Sequence, residues 1–197
     1  WKKKNIVPAK PSPTAIWAKI DENIARNWYW TAGQFADRYA KLFAGSPRAY
    51  RAKLVAVDCL IARRKHSTAK NRLRTLRASA TSDDQKTAVS VRQKRYAKKT
   101  STAAKRNYYT AIGSKPANWK SRVDARLALF HLEWNQHNFA AAAKWGDRLI
   151  EQDADELFVI QEIHWKAAFA HYLAGEFAQA AEGLERWIGA YPTHSDH

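Results

Sequence analysis

Large apolar residues recur at helical spacing near the C-terminal end of this 197-residue chain. One stripe follows the i, i+3, i+4, i+7 rule of a helix face: Trp165, Ala168, Phe169 and Tyr172. A second stripe follows Gly175: Phe177, Ala180, Ala181, Leu184 and Ile188. Pro192 ends this pattern, because proline cannot continue a helical hydrogen-bond ladder. The pattern predicts two amphipathic helices joined by a turn at Gly175, with both stripes in the core.

The same hairpin pattern occurs once more upstream. Residues 137–142 read His-Asn-Phe-Ala-Ala-Ala, and residues 175–180 read Gly-Glu-Phe-Ala-Gln-Ala. A shift of 38 residues places Phe139 on Phe177 and also Trp134 on Tyr172. We call this 38-residue shift the repeat offset. Self-similarity at a fixed period is typical of repeat architectures. The sequence therefore predicts a repeated helix hairpin.

Weaker copies extend the pattern towards the N-terminal end. The positions of Ala180, Leu184 and Pro192 are taken by Ala104, Tyr108 and Pro116. One unit earlier, the second helix would bury Ala69, Leu73 and Leu76, and the first helix Ala56, Leu60 and Ile61. A further hairpin is predicted from Trp28-Tyr29-Trp30 followed by Gly33-Gln34-Phe35, with a different internal spacing.

Local signals suggest where the helical part begins. Residues 1–13 contain three prolines, which favour an extended leader. Thr14 is a plausible N-cap, so the helical domain is predicted over residues 14–197. Residues 79–85 form a polar inter-repeat loop in which Ser82 or Asp83 caps the next helix.

These aromatic, small-residue, Gly-x-Phe and closing-Pro positions resemble the tetratricopeptide family, most clearly over residues 123–192. The resemblance implies an all-α fold, a right-handed α-superhelix (solenoid) of about four to five helix-turn-helix repeats. The longer units ending in Tyr191-Pro192 look like those of bacterial outer-membrane assembly lipoproteins and Tol-Pal coordinators. That narrower resemblance implies a periplasmic or cell-envelope location.

Charge is distributed unevenly within a net charge of +16. Residues 62–122 carry 18 Lys and Arg against 2 Asp and Glu, whereas residues 123–197 carry 5 against 12. A basic segment of this kind predicts an anionic partner, with these candidate residues: Arg63, Arg64, Lys70, Arg74, Arg77, Arg92, Arg95, Lys99, Lys105 and Arg106. The partner could be another protein, a nucleic acid, or an envelope polymer or lipid surface. The acidic C-terminal repeats also allow head-to-tail self-association.

A stack of helix hairpins curls and leaves a concave face. In the tetratricopeptide family that face binds a peptide or helix, so the resemblance implies the same use for first-helix residues here. The candidates are Arg126, Glu133, His164 and His171.

No motif for catalysis is present in the sequence. The single Cys59 lies in an apolar run and is interpreted as a buried, inert thiol. His164 and His171 are two helical turns apart rather than one, so no metal site or other cofactor is predicted. Asp153, in a predicted loop over residues 151–157, is expected to charge the start of the next helix. Apolar runs are shorter than the ~20 residues of a membrane span, so no transmembrane segment is predicted.

The favoured function is therefore a non-enzymatic scaffold or adaptor that binds other proteins. A nucleic-acid-binding helical repeat, for RNA or single-stranded DNA, is the alternative that the basic segment supports. A second alternative is the superhelical, non-catalytic portion of a cell-wall-acting protein.

Overall fold

A computed structural model describes residues 11–95, 97, 100–154 and 160–191, without the side chains of residues 160 and 161. These residues form ten α-helices and no strand. The helices are α1 (Pro13–Ala25), α2 (Tyr29–Leu42), α3 (Ala49–Ala62), α4 (His66–Ala78), α5 (Asp83–Arg95), α6 (Thr102–Gly113), α7 (Ser121–Asn135), α8 (Phe139–Asp153), α9 (Ile160–Leu173) and α10 (Phe177–Ala190). The all-α fold class is confirmed for the described part of the chain. The predicted leader lies almost entirely outside it.

The chain divides into two compact units, residues 1–69 and 70–197, and α4 crosses the boundary. In the first unit α2 packs on α1 and on α3. In the second unit α7 packs on α5, α6 and α8, and α9 packs on α8 and α10. Neighbouring helices thus pack in a row, as a helical repeat requires. No helix within the described residues is both long and apolar enough to cross a membrane.

Four turns between described helices share one backbone geometry. Each contains a residue with positive φ: Asn27 (59°), Arg64 (59°), His137 (56°) and Gly175 (80°). In every case its amide N–H donates to the carbonyl three residues back, and the next N–H donates to the carbonyl five residues back. This is the Schellman arrangement, which satisfies the last carbonyls of a helix. The same turn therefore joins α1 to α2, α3 to α4, α7 to α8, and α9 to α10.

Side-chain contacts in the last two hairpins recur at the repeat offset. The rings of Trp134 and Phe139 are 5.7 Å apart, and so are those of Tyr172 and Phe177. The residue that follows each positive-φ position also returns to the preceding helix. The Asn138 amide donates to Glu133 at 3.0 Å, and the Glu176 carboxylate contacts the His171 ring at 2.6 Å. Residues related by the repeat offset therefore make equivalent contacts in the two hairpins.

The predicted start of the first helix was two residues late. The N-cap is Ser12, whose hydroxyl accepts from the amide of Ala15 at 3.1 Å, and Pro13 occupies the first helical position. Thr14 is already helical. The predicted cap at Ser82 is confirmed, because its hydroxyl accepts from the amide of Gln85 at 3.2 Å.

The hairpin predicted from residues 28–35 has its turn upstream of them, at Asn27, and Gly33 lies inside α2. A Cβ on Gly33 would lie 3.3 Å from the Cβ of Cys59. The glycine therefore serves a close helix approach rather than a turn.

The predicted core is confirmed in some helices and displaced in others. Among the predicted positions, Ala56, Ala69, Leu73, Leu76 and Ala180 are buried. The rest of the second predicted stripe, Phe177, Ala181, Leu184 and Ile188, is exposed. Ala104 is also exposed, and α6 buries Tyr109 and Ile112. Of the stripe predicted on α9, Ala168 is buried, whereas Trp165, Phe169 and Tyr172 are exposed. The other buried side chains described on this helix are Ile163, Ala167, Ala170 and His171. The upstream template was therefore out of register in α6, and most of the α9 stripe lies on the opposite face.

Candidate functional site

Arg92 of α5 is buried against α7 instead of lying on the surface. Its guanidinium is 2.9 Å from Oδ2 of Asp124 and also donates to the carbonyl of Ala88 at 3.1 Å. Both charged side chains are more than nine-tenths buried. A buried charge is tolerated when it is paired and hydrogen-bonded. Arg92 thus joins two helices of the second unit.

A buried cluster of three charged residues involves the end of α8. The Asp153 carboxylate accepts from Arg122 at 2.6 Å and from Arg126 at 2.6 Å, and both arginines belong to α7. Arg126 also donates to the carbonyl of Gly113 at 2.8 Å. Residues 151–153 are helical, so the loop predicted over 151–157 does not begin at residue 151. Asp153 therefore binds two arginines of α7 instead of placing negative charge at the start of the next helix.

Two further polar contacts cross between helices. Glu133 of α7 accepts two hydrogen bonds from Arg106 of α6, one of them 3.0 Å long. The hydrogen bonding and charge of Glu133 raise the pKa of Arg106. His171 of α9 contacts Asp147 of α8 at 3.0 Å through Nε2, and Glu176 through Nδ1.

These contacts change the interpretation of the proposed partner-binding residues. Arg126, Glu133 and His171 are buried and bonded within the chain, so their side chains are not open to a partner. The same applies to Arg92 among the basic candidates. His164 is half-buried beside Tyr191 at 5.8 Å, and burial lowers its pKa. Sequence alone could not separate these residues from solvated ones, since their partners come from other helices.

The remaining basic candidates are mostly exposed. They are Arg63 and Arg64 in the first unit, and Lys70, Arg74, Arg77 and Arg95 in the second. Lys105 and Arg106 are half-buried, and Lys99 lies outside the described residues. On α4 the exposed Lys70, Arg74 and Arg77 share one side, because residues three or four apart lie on the same face of a helix. We call these three exposed residues the basic face of α4.

Tyr108 lies among basic side chains next to this face. The Nζ atom of Lys94 is 4.2 Å from the centre of its ring. Burial raises its pKa, whereas a hydrogen bond with Ser90 and the charge of Arg77 lower it. Its neighbour Tyr109 is fully buried in the core. Only Tyr108 of this pair therefore has a ring partly accessible beside positive charge.

A contiguous aromatic surface covers α9 and its neighbours. Its rings are those of Trp134, Trp165, Phe169, Tyr172 and Phe177, which we name together the aromatic surface. Ring centres are separated by 6.3 Å (Trp134–Phe169), 6.1 Å (Trp165–Phe169), 5.8 Å (Phe169–Tyr172) and 5.7 Å (Tyr172–Phe177). The exposed fractions are 37% for Trp165, 39% for Phe169, 54% for Tyr172 and 64% for Phe177. Large exposed apolar patches mark interaction sites on soluble proteins.

The close packing of α9 explains why its aromatic residues are exposed. A Cβ on Gly146 would lie 2.6 Å from the Cβ of Ala167, and a Cβ on Gly183 would lie 2.8 Å from that of Ala168. Helices this close have room only for small residues between them. The glycines and alanines were the signal in the sequence that could have located the buried face.

The described residues show no group of three or more His, Cys, Asp or Glu side chains placed to hold a metal ion. Cys59 is buried as predicted, and burial raises the pKa of its thiol to about 12. A thiol with this pKa is protonated near neutral pH and is a poor nucleophile.

Comparison with models of known protein families and with curated proteins finds no match to this sequence.

Proposed function

We propose that this protein is a non-enzymatic, tetratricopeptide-like scaffold that binds another protein through the aromatic surface. The observation that carries the proposal is the chain of contacting, exposed rings on α9 and the start of α10. Aromatic side chains dominate protein-binding energies because they bury large areas with little loss of conformational entropy. A partner segment carrying aliphatic or aromatic anchors would cover these rings.

The repeated hairpin supports the scaffold part of the proposal. Four turns of one geometry, and ring contacts that recur at the repeat offset, are what a stack of about four to five repeats would contain. We propose that the stack is a right-handed solenoid and that α9 belongs to its binding face. Rigid helices would present the rings with little ordering cost on binding.

Site-specific photo-crosslinking in the source cell tests the proposal. A photoreactive phenylalanine analogue at Phe169 or Tyr172 should crosslink to a defined protein. The same analogue at Leu42, an exposed apolar residue of α2, is the matched control and should not. The substitution Trp165→Ala should weaken the crosslink from position 172. Equal labelling from Leu42 and Phe169 would contradict the proposal.

The basic face of α4 supports one second candidate, the binding of a nucleic acid. Helix α4 contains no acidic residue, and its exposed cations lie near the partly accessible ring of Tyr108. Stacking on an aromatic ring beside backbone-binding cations is typical of single-strand recognition. A photoreactive analogue at Lys70 would then crosslink to RNA or DNA in the same cells, while position 169 would not crosslink to protein.

A further inference from the structure

Two turns lie side by side at one end of the first unit. Gly33, near the start of α2, approaches Cys59, near the end of α3, so closely that a Cβ on the glycine would lie 3.3 Å from that of the cysteine. The start of α2 therefore lies beside the end of α3. The turn before α2, at Asn27, and the turn after α3, at Arg64, share this end.

The first of these turns exposes two tryptophans. Trp28 and Trp30 are each 56% exposed. The guanidinium of Arg26 lies 5.2 Å from the centre of the Trp28 ring and also forms an ion pair with Glu22 at 3.2 Å. Side chains of a helix tilt towards its N-terminus, so Trp30, at the start of α2, leans towards the turn. Two accessible indole rings and a cation thus lie together at this end.

The second turn adds positive charge. Arg63, Arg64 and Lys65 follow one another along the chain, and all three are exposed. Residues 23–36 and 59–69, which include both turns, contain no Asp or Glu. The acidic residues that immediately precede these two segments, Glu22 and Asp58, are half-buried. The basic-aromatic end of the first unit is our name for Arg26, Trp28, Trp30, Arg63, Arg64 and Lys65.

We propose that the basic-aromatic end docks the protein on the surface of an anionic lipid bilayer. Tryptophan prefers the boundary between headgroups and acyl chains, because its ring is apolar while its N–H can still meet water. Lysine and arginine at the same level are attracted to anionic headgroups. The site belongs to the first unit and uses none of the residues of the aromatic surface, so it adds a second binding activity to the proposed function.

The arrangement of rings and charges favours a bilayer over a nucleic acid. A single strand binds where aromatic rings are spaced along a basic groove that follows its backbone. Here both exposed tryptophans lie at one turn and the run of three cations lies at the neighbouring turn. A bilayer surface can contact the ends of two neighbouring turns at once.

Co-sedimentation of the full chain with vesicles tests the proposal. The vesicles contain phosphatidylcholine, alone or with an equal amount of phosphatidylglycerol, at physiological ionic strength, where salt screens the diffuse attraction of the net charge. Changing Trp28 and Trp30 together to Ala should lower binding to the anionic vesicles at least about tenfold. Changing Arg63, Arg64 and Lys65 together to Gln should do the same. Phosphatidylcholine alone should bind the wild type weakly.

Matched variants separate this end from the net charge of the chain. Changing Arg38, Lys41 and Lys53 together to Gln removes the same charge from exposed positions of the first unit and should leave most of the binding intact. Leu42→Ala removes an exposed apolar side chain from the other end of α2 and should bind like the wild type. Circular dichroism confirms that each variant keeps its helix content.

A fluorescent label reports which end touches the lipid. Cys59 is buried and burial raises the pKa of its thiol, so an exposed cysteine introduced elsewhere is labelled selectively. An environment-sensitive dye on Ser67→Cys, two residues after Lys65, should brighten and shift to the blue with anionic vesicles. The same dye on Ala44→Cys, in the turn after α2, should change little.

Four results would overturn the proposal. The wild type could fail to bind anionic vesicles, or the variant at Arg38, Lys41 and Lys53 could lose as much binding as the variant at residues 63–65. The dye at position 44 could respond as strongly as the dye at position 67. Finally, the changes at Trp28 and Trp30 could abolish binding of a single-stranded oligonucleotide and leave vesicle binding unchanged, which would assign this end to nucleic acid.

Discussion

Asp153 is a single carboxylate that holds two arginines of α7, and all three side chains are largely buried. Arginine suits this arrangement because its planar fork donates several hydrogen bonds in fixed directions. Asp153→Asn would leave two buried cations without a counter-charge. We expect the free energy of unfolding in urea to fall by about 3 kcal/mol.

Asp83→Asn provides the matched control for this loss. Asp83 forms an exposed ion pair with Lys86, also from a carboxylate to a cation. Exposed pairs contribute under about 1 kcal/mol, so this variant should unfold close to the wild type. Equal effects at Asp83 and Asp153 would show that burial does not determine the strength of these pairs.

His131 predicts a loss of stability in acid. Burial, followed by the positive charges of Arg95 and Lys166, lowers the pKa of His131 from 6.5 to about 3. Between these two values the unfolded chain binds a proton and the folded chain does not, so stability falls as pH decreases through this window. His131→Gln should remove about 2 kcal/mol of this pH dependence, a value discounted because the side chain is partly exposed, measured by urea unfolding at several pH values.

The carboxyl group of Asp21 should make stability depend on pH in the opposite direction. Burial raises its pKa from 3.8 to about 7, and no described residue hydrogen-bonds its Oδ1 atom. The folded chain therefore keeps the proton while the unfolded chain loses it, and stability falls as pH rises from 3.8 to about 7. Asp21→Asn should raise the free energy of unfolding near pH 8 by about 2 kcal/mol, discounted for partial exposure. Near pH 3, where the Asp21 carboxyl is protonated in both states, Asp21→Asn and the wild type should differ little in stability. A constant difference at all pH values would argue against the raised pKa.

At the scale of the helix, two glycines set how closely α9 packs on its neighbours. Alanine is a better helix former than glycine, so Gly146→Ala gains up to about 1 kcal/mol in local preference. The added Cβ would, however, lie 2.6 Å from that of Ala167, and the helices would have to separate. We expect a net loss of about 2 kcal/mol in chemical unfolding.

Gly189→Ala is the control on α10. A Cβ at Gly189 meets no other atom within 4 Å, so only the helix preference acts. This variant should be more stable than the wild type by about 0.5 kcal/mol. A stabilised Gly146→Ala variant would contradict the close packing of α8 against α9.

At the scale of the whole molecule, the internal ion pairs lower the number of basic residues that can bind an anion. The basic face of α4 remains exposed, and its side chains should retain the protein on heparin. Changing Lys70, Arg74 and Arg77 together to Glu should reduce the slope of log affinity against log salt by about three, one per lost phosphate or sulfate contact.

The control changes the same net charge at dispersed exposed positions, Arg38, Lys41 and Lys144, to Glu. If net charge alone governed binding, both triple variants would elute at the same salt concentration. Earlier elution of the α4 variant alone would show that the cluster binds as a unit.

Much of the fold was predictable because local rules determine it. The turn at Gly175, the cap at Ser82 and the repeat offset depend on residues close in sequence or on a comparison of sequence with itself. The prediction of which α6 residues are buried was wrong. Either Ala104 or Tyr109 could face the core, and the position of α7 decides that Tyr109 does. The prediction of partner-binding residues was wrong for the same reason. Glu133 could not be identified as buried without the position of Arg106.

The sequence by itself determined the helical class, the hairpin and its period, since helix propensity, turn chemistry and apolar spacing act within a few residues. Only the tertiary structure decided which face of each helix is buried. Close contacts at Gly146 and Gly183 place alanines inside and leave Trp165, Phe169 and Tyr172 exposed. The same packing brings Arg92, Arg126 and Glu133 against partners on other helices. Burial is a property of pairs of helices, and the pattern along one helix does not contain it.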